Sequence, residues 1–239
     1  MLPDRTVAKL SPVEHQSAPL RNKIIAALRS AIETGVLAPG TRLIEKDLCD
    51  QLHVSRTSLR EALRELQAEG IFEPVSARGL TINTISREDA ENAYRIRSVL
   101  EALVVEQFIE KADDATVSDL ARHGETLKRA YQSGVLETII DTKRAFYDHI
   151  CTGADNAIAF DIINRLVLRT SSLRRHSLSR TDRQVQSIEE IDRLVKAIQE
   201  RDIEGARQAA LDHVKNSARS ALDASDAPAK RQNRDETIA

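Results

Sequence analysis

Apolar positions follow a helical period over most of the chain. From Leu20 they recur at spacings of three and four up to Gly35, where the first helix should end. A short second helix is predicted near 45–52, and a third begins after Ser55, a good N-cap, and ends at Gly70. The inner face of this third helix should carry Leu59, Ala62, Leu63 and Leu66.

The pattern changes after the third helix. Residues 71–75 and 80–82 predict two short strands around a turn, in which Gly79 would supply the freedom in φ that the turn requires. Three helices and a hairpin within about 65 residues predict a winged helix-turn-helix, a compact module that binds DNA.

The remainder of the chain shows only helical patterns. Ser86 and Asp89 form a capping-box pattern that opens a long helix, and one face of this helix should carry Ala93, Ile96, Leu100, Val104 and Phe108. Five further helices are predicted near 116–132, 137–151, 156–176, 182–201 and 203–222. The fold class is therefore mainly α: a flexible arm (1–17), a winged helix-turn-helix (18–84), an all-α antiparallel bundle (85–222) and a disordered tail (223–239).

Composition narrows the partners that this fold can have. The 239 residues include 35 Lys+Arg and 37 Asp+Glu, so a nucleic-acid surface would need locally segregated basic groups. The longest apolar run, 24–28, is far shorter than the roughly 20 residues of a membrane span, and no signal-peptide core is found. We therefore expect a cytoplasmic protein with no membrane partner. Cys49 and Cys151 are expected to be separate reduced thiols.

The third helix carries candidate DNA contacts at its amino-terminal end. Arg56 and Arg60 are four residues apart and lie opposite the leucines. Guanidinium groups so placed can bond guanine O6 and N7 in the major groove. Hydroxyl groups for phosphates or base edges are supplied by Ser55, Thr57 and Ser58. The alternative is that the two arginines are solubilising charges, or that they pair with acids such as Glu61 and Glu65.

The run GVLAPGTRLIEKDLCDQLHVSRTSLREALRELQAEGIFEPVSARGLTIN closely resembles the winged-helix domain of GntR-family transcription regulators. The resemblance implies a homodimer bound to double-stranded DNA. It places the family's DNA contacts at Lys46, Ser55, Arg56, Thr57, Arg60, Arg78 and Gly79. Cys49 and His53 stand where the family more often has Ala and Gly, and we expect both to be packing variants.

The helical remainder resembles the FCD-type effector domain of the FadR subgroup through YRIRSVLEALVVEQ, AFYDHICTGADN and KAIQERDIEGARQAALDHV. In most members this bundle holds a divalent metal through an Asp, a His four residues later and two further histidines, with a small carboxylate effector beside it. Here the corresponding positions hold Lys143, Tyr147 and Ile191, and only His213 remains. Since one imidazole cannot supply the three or four ligands of a protein metal site, we expect no metal and no other cofactor.

Lys143 interrupts an apolar stripe on its helix, formed by Ile139, Phe146 and Ile150. Burying an unpaired ammonium group costs several kcal/mol, so something should offset it. Our hypothesis is that a small organic acid or other anionic effector binds, without metal, to Arg97, Lys143, Tyr147, Arg169 and His213. The alternatives are a lysine that snorkels to the surface, a core histidine and tyrosine with satisfied hydrogen bonds, and a solvated helix end at 174–176.

Together these patterns predict a DNA-binding transcription regulator, a ligand-responsive repressor that binds a short pseudo-palindromic operator as a homodimer. A helical domain that serves dimerisation alone is the competing interpretation. The sequence contains no nucleophile elbow, P-loop, zinc-protease or dinucleotide-binding motif, so we do not expect an enzyme.

Overall fold

Three helices and a small sheet form the amino-terminal module of the computed structural model, which describes residues 18–76 and 79–225. In chain order these elements are α1 (Ala18–Thr34), β1 (Arg42–Leu43), α2 (Glu45–Leu52), α3 (Arg56–Ala68), β2 (Phe72–Ser76) and β3 (Gly79–Ile82). The predicted arm, most of the predicted tail and Arg78 lie outside the described residues.

The sheet has three antiparallel strands in the order β1-β3-β2, so it contains one strand more than the sequence predicted. Thr81 of the central strand pairs with Arg42 of β1 on one side and with Glu73 of β2 on the other. Pro74 lies in the edge strand β2, where proline's missing N–H is tolerated. The extra strand β1 is only two residues long, too short to show a strand period in the sequence.

Helix α3 begins as predicted. The Oγ atom of Ser55 accepts a hydrogen bond from the backbone N–H of Ser58 at 3.2 Å, which satisfies one of the free donors of the first turn. The predicted inner face is buried, and it packs against the apolar side of α1. The two faces consist of Leu59, Ala62, Leu63 and Leu66 on α3, and Ile24, Ile25, Leu28 and Ile32 on α1.

Two backbone expectations for this module are wrong. Gly79 is the first residue of β3 and lacks a positive φ, but a Cβ there would lie 3.3 Å from Arg42 Nε, so its small size matters. His53 was expected to be a packing variant. Its φ of 51° instead places it in the left-handed region at the end of α2, which explains the family's glycine at this position.

Seven helices form the second part of the chain as far as residue 225, where the described region ends. They are α4 (Arg87–Lys111), α5 (Asp114–Ser133), α6 (Leu136–Gly153), α7 (Ala157–Arg169), α8 (Ser171–Leu178), α9 (Thr181–Gln199) and α10 (Ile203–Ser225). Ser86 is the N-cap of α4, since its Oγ accepts from the N–H of Asp89 at 3.0 Å, and the same hydroxyl donates to Asp89 Oδ2 at 2.8 Å. The single helix predicted over 156–176 is in fact two helices. The break falls at Thr170, whose backbone leaves helical geometry and whose hydroxyl donates to the Leu166 carbonyl.

The predicted apolar face of α4 is confirmed at Ala93, Val104 and Phe108, which are buried, but not at Ile96. Ile96 is 51% exposed, whereas the buried side of the helix includes Tyr94, Arg97 and Glu101. The Arg97 and Glu101 side chains form a buried ion pair at 2.6 Å, so polar groups occupy positions that the apolar period assigned to solvent. This exchange leaves apolar residues on the outer side of α4.

The two parts of the chain meet along α1. Leu168 of α7 belongs to the same hydrophobic cluster as the α1 and α3 residues. Arg144 of α6 forms an ion pair with the buried Glu33 of α1, and Arg175 of α8 donates to the Thr34 carbonyl. The winged-helix module is therefore attached directly to the bundle through packing and through charge. Among the described residues, none of these helices has the length and apolar character needed to cross a bilayer.

Candidate DNA interface and effector cavity

A basic cleft of about 830 Å³ separates the amino-terminal half of α3 from the sheet. Five cationic side chains and one carboxylate line it: Arg42, Lys46, Arg56, Arg60, Arg64 and Glu45. This segregation matters because residues 18–84 as a whole carry nine Lys/Arg against eight Asp/Glu. The cleft thus provides the local positive surface that the near-neutral composition required.

Arg56 and Arg60 differ in their partners. Arg60 Nε lies 2.9 Å from Glu45 Oε2, so the local ion pair that the sequence left open exists, with an acid of α2 rather than Glu61 or Glu65. Within the described part of the chain, Arg56 has no ion pair and is exposed. Arg56 is therefore the freer of the two guanidinium groups for contact with a base.

The remaining predicted DNA contacts surround the same cleft. Lys46, Ser55 and Thr57 are exposed, while Ser58 is half-buried and its Oγ lies 3.0 Å from Ser55 Oγ. Gly79 lines the sheet side of the cleft. Arg42 and Arg64 were missed as cleft residues, because the strand that positions Arg42 and the depth of the cleft beside Arg64 have no signal in the sequence.

A second, smaller cavity of about 40 Å³, partly open to solvent, lies in the bundle, where α4, α6, α7 and α8 meet the end of α1. Its lining is unusually rich in charge, with Glu33, Arg97, Glu101, Lys143, Arg144, Asp148 and Arg174. Tyr147 completes the polar lining, and Phe160, Ile163 and Val167 supply an apolar side.

Lys143 heads a buried chain of hydrogen bonds that continues away from this cavity. Its Nζ atom donates to His213 Nε2 at 3.0 Å, and His213 Nδ1 donates to Glu190 Oε2 at 2.7 Å. Arg183 donates to the same Glu190 oxygen at 2.7 Å. Lys143 is 5% exposed and His213 is fully buried, so the snorkelling alternative is wrong and the histidine is a core residue with both nitrogens engaged.

The charges in this chain follow from burial and from the neighbouring groups. Burial, reinforced by the nearby guanidinium groups, lowers the pKa of Lys143 well below its usual value. Burial and the adjacent Lys143 lower the pKa of His213 to about 3, so the imidazole is neutral near pH 7. Burial raises the pKa of Glu190, but hydrogen bonds and charge from His213 and Arg183 outweigh burial and lower it to about 2. An ionised Glu190 therefore keeps the His213 proton on Nδ1.

Two donors around the cavity have no acceptor among the described residues. Arg97 Nη1 and the Tyr147 hydroxyl are buried and, among the described residues, lack a hydrogen-bond partner. A buried donor without a partner costs about 1–3 kcal/mol, and the same region contains an unpartnered acceptor, Glu101 Oε2, whose other carboxylate oxygen pairs with Arg97.

Four of the five predicted effector residues are brought together here, and one is not. Arg97, Lys143 and Tyr147 line the cavity, and His213 lies directly behind Lys143. Arg169 is exposed and lines a separate crevice beside the winged-helix module. Its place is taken by Arg174, which belongs to the cluster interpreted from sequence as a solvated helix end.

The donor set does not fit the metal that the FCD resemblance implies. Both nitrogens of His213 are already engaged by Lys143 and Glu190, and the fully buried Ile191 offers no donor atom. In the described ranges, no group of three or more His, Cys, Asp or Glu side chains could hold a metal ion. No chemistry of this cavity is therefore assigned to a metal.

A winged helix with a basic cleft, followed by a helical bundle around a polar cavity, is the architecture of a DNA-binding transcription regulator. The family can be stated as well. Residues 20–82 match the family described as bacterial regulatory proteins, gntR family, and residues 92–216 match the FCD domain. Because the FCD match alone spans more than half of the chain, this protein belongs to the GntR family and carries an FCD domain.

Its relatives include characterised and uncharacterised regulators. The chain is 30% identical to the HTH-type transcriptional regulator McbR of Escherichia coli (strain K12), across 59% of this chain and 64% of McbR. It is 32% identical to the uncharacterized HTH-type regulator YdhC of Bacillus subtilis (strain 168), across 51% of this chain and 54% of YdhC. It is 24% identical to the HTH-type transcriptional repressor RspR of Escherichia coli (strain K12), across 82% of this chain and 86% of RspR. The chain thus spans under two thirds of YdhC and McbR.

Solved structures show the same fold. Escherichia coli McbR/YncC superposes with a TM-score of 0.78 at 25% identity, covering 85% of this chain and 97% of that one. A transcriptional regulator GntR from Rhodococcus sp. RHA1 gives a TM-score of 0.72 at 19% identity, covering 86% and 98%.

Proposed function

We propose that this protein is a ligand-responsive repressor that binds a short pseudo-palindromic operator as a homodimer and takes a small anionic effector in the cavity of the bundle. The observation that carries the DNA-binding part is the cleft, where five cationic side chains converge beside the start of α3. Two relatives are named as repressors, RspR and the gluconate operon transcriptional repressor of Bacillus licheniformis. Their names support the proposal that this protein is a repressor.

The cleft suits a DNA duplex in both charge and hydrogen bonding. The start of α3 would enter the major groove with Arg56 directed at a guanine edge, while Ser55 and Thr57 bond the backbone. Lys46 and Arg42 at the sides of the cleft supply phosphate contacts. A single module of this size makes few base contacts, so two half-sites are needed for useful specificity.

Apolar side chains on α4 and α7 support a homodimer. Ile96, Val99 and Leu103 on α4 are exposed, as are Ile158 and Ile162 on α7. The two helices pack against each other, and Asn156 Nδ2 at the start of α7 donates to Gln107 Oε1 of α4 at 2.8 Å. An exposed apolar surface of this extent usually marks an interaction site, and we assign a second copy of the chain to it.

The cavity supports an anionic effector through its unpartnered donors. A carboxylate group placed beside Lys143 would accept hydrogen bonds from Arg97 Nη1 and from the Tyr147 hydroxyl. Because Glu33 of α1 lines the same cavity and pairs with Arg144, a bound anion competes with Glu33 for cationic groups. Ligand binding would thereby change how firmly α1 is attached to the bundle, which is the differential contact that coupling between sites requires.

A single experiment tests both parts of this proposal. A duplex is first selected by the full-length wild-type protein from a random pool, and binding is followed by fluorescence anisotropy. Organic and sugar acids are then titrated in, with and without a chelator. We expect the protein to select a pseudo-palindromic duplex. One acid should change the affinity of this duplex for wild type and for Lys196→Met, and should leave its affinity for Lys143→Met unchanged.

Other outcomes are equally informative. Selection of no preferred sequence would contradict the repressor function. If no acid changes the affinity for DNA, the helical domain serves dimerisation alone. A protein that responds only when a metal is present would overturn the metal-free effector site.

A further inference from the structure

One carboxylate lies among the five cationic side chains of the basic cleft. Glu45, at the start of α2, accepts two hydrogen bonds from Arg60 Nε on α3, at 3.1 Å to Oε1 and 2.9 Å to Oε2. The Arg60 side chain is 59% exposed and that of Glu45 is 39% exposed. An exposed ion pair contributes little to folding stability, and a carboxylate in this cleft repels the phosphates of DNA. The position of Glu45 is therefore better explained by its effect on Arg60 than by the stability of the fold.

The geometry of the pair leaves the end of the guanidinium group free. Glu45 engages only Nε, and the two terminal Nη groups of Arg60 have no hydrogen-bond partner among the described residues. These two groups are the donors that match guanine O6 and N7. Without the carboxylate, this long side chain would rotate towards the nearest phosphate, a contact that carries no sequence information.

We propose that Glu45 is a positioning residue for sequence recognition, which holds Arg60 towards the base edges and away from the DNA backbone. This inference rests on the sequence-specific DNA binding proposed above. Glu45 needs no contact with DNA for this role, because it acts through Arg60. The two arginines of α3 thus differ in function, since Arg60 is positioned before DNA binds and Arg56 has no ion pair in the described part of the chain.

A negative charge in the first turn of α2 also favours the helix itself, and Ile44 before it provides no side-chain cap. Asp47 lies in the same first turn, is exposed and is not part of the cleft lining. Asp47→Asn removes the same charge from the same end of α2 and leaves the pair of Glu45 with Arg60 in place. It is therefore the matched control for Glu45→Gln.

Fluorescence anisotropy with the full-length proteins measures the ratio of affinities for the selected duplex and for a scrambled duplex. Glu45→Gln should lower this ratio about three- to tenfold, because Arg60 is no longer immobilised before it binds. The same variant should bind the scrambled duplex more tightly than wild type, because a repulsive charge has been removed. Asp47→Asn should keep the wild-type ratio. A wild-type ratio in Glu45→Gln, or an equal loss in Asp47→Asn, overturns the proposal.

A double-mutant cycle distinguishes positioning from a purely structural role. Arg60→Ala leaves the Glu45 carboxylate unpaired beside the phosphates, so both duplexes should bind more weakly. Adding Glu45→Gln to Arg60→Ala should restore part of the affinity for both duplexes and leave their ratio unchanged. A further fall of the ratio in the double variant would show that Glu45 acts without Arg60 and would refute the proposal.

The outcome for wild type separates this inference from the proposed function. A wild-type protein that prefers no duplex contradicts the repressor function itself. A wild-type protein that selects a duplex, together with a Glu45→Gln variant that discriminates equally well, refutes only the role of Glu45.

Discussion

Lys143 is 5% exposed on α6, and its hydrogen-bond partner is an imidazole rather than a carboxylate. Its burial could be predicted, because it interrupts an apolar stripe of helical period. Its partner could not, since His213 reaches it from α10 and is itself held by Glu190 of α9, through contacts that leave no pattern in the sequence. Sequence also could not show that Arg174, rather than Arg169, lines the cavity. The helix break at Thr170 changes which side of the 156–176 segment faces the cavity.

The lowered pKa of Lys143 predicts a pH-dependent stability difference between wild type and Lys143→Met. At pH values between the lowered pKa of the folded protein and the ordinary lysine pKa, the unfolded chain binds a proton that the folded protein excludes, so wild-type stability should rise with pH relative to the variant. The slope approaches about 1.4 kcal/mol per pH unit below the ordinary lysine pKa. The facing groups are the same in both proteins: Arg97, Glu101, Tyr147, Arg174, Arg183, Glu190 and His213.

Urea unfolding at pH 7 and pH 9 measures this difference, with Lys196→Met as a control that should track wild type. If the difference in free energy of unfolding between wild type and Lys143→Met is the same at both pH values, the buried lysine stays protonated.

At the scale of secondary structure, His53 is the position where sequence and backbone conflict. Its φ of 51° closes α2 ahead of α3, and a side chain in this region costs roughly 1–2 kcal/mol. The helix boundaries themselves were predicted well wherever a cap marked them, as at Ser55 and Ser86. β1 and the break between α7 and α8 were missed because neither a two-residue strand nor one buried threonine interrupts the apolar period.

His53→Gly should therefore stabilise the protein. We expect an increase of about 1 kcal/mol in the free energy of unfolding, since glycine adopts this conformation without a Cβ clash. His53→Ala is the matched control and should show no gain. Chemical denaturation measures both variants, and equal stability of His53→Gly and His53→Ala would disprove the strain at this position.

At the scale of the whole molecule, two surfaces connect DNA binding with effector binding. They are the outer face of α4 and α7, and the contact between α1 and the helical bundle. The apolar residues on α4 are explained by the inward Arg97–Glu101 pair, which turns Ile96 and Val99 outward. The general two-part fold could be predicted from periodicity. The attachment of the two parts through Glu33 and Arg144 could not, because a single ion pair between distant segments has no sequence signature.

Val99→Glu tests the dimer face. Val99 is 65% exposed on α4, and a charge there would have to be buried unpaired in the proposed interface, so the variant should sediment as a monomer. Val185→Glu on α9 is the control, since Val185 is 56% exposed on another face, and it should remain dimeric. Analytical ultracentrifugation distinguishes the two; equal behaviour of both variants would contradict the assigned interface.

The most direct test of the account compares Arg56→Ala with Lys46→Ala on the selected duplex and on a scrambled duplex over a range of salt concentrations. Arg56→Ala should weaken binding to the selected duplex by about 1–3 kcal/mol and reduce discrimination between the two. Lys46→Ala should weaken both complexes evenly and lower the salt slope by about 1. Wild-type affinity and discrimination in both variants would show that the cleft beside α3 does not contact DNA.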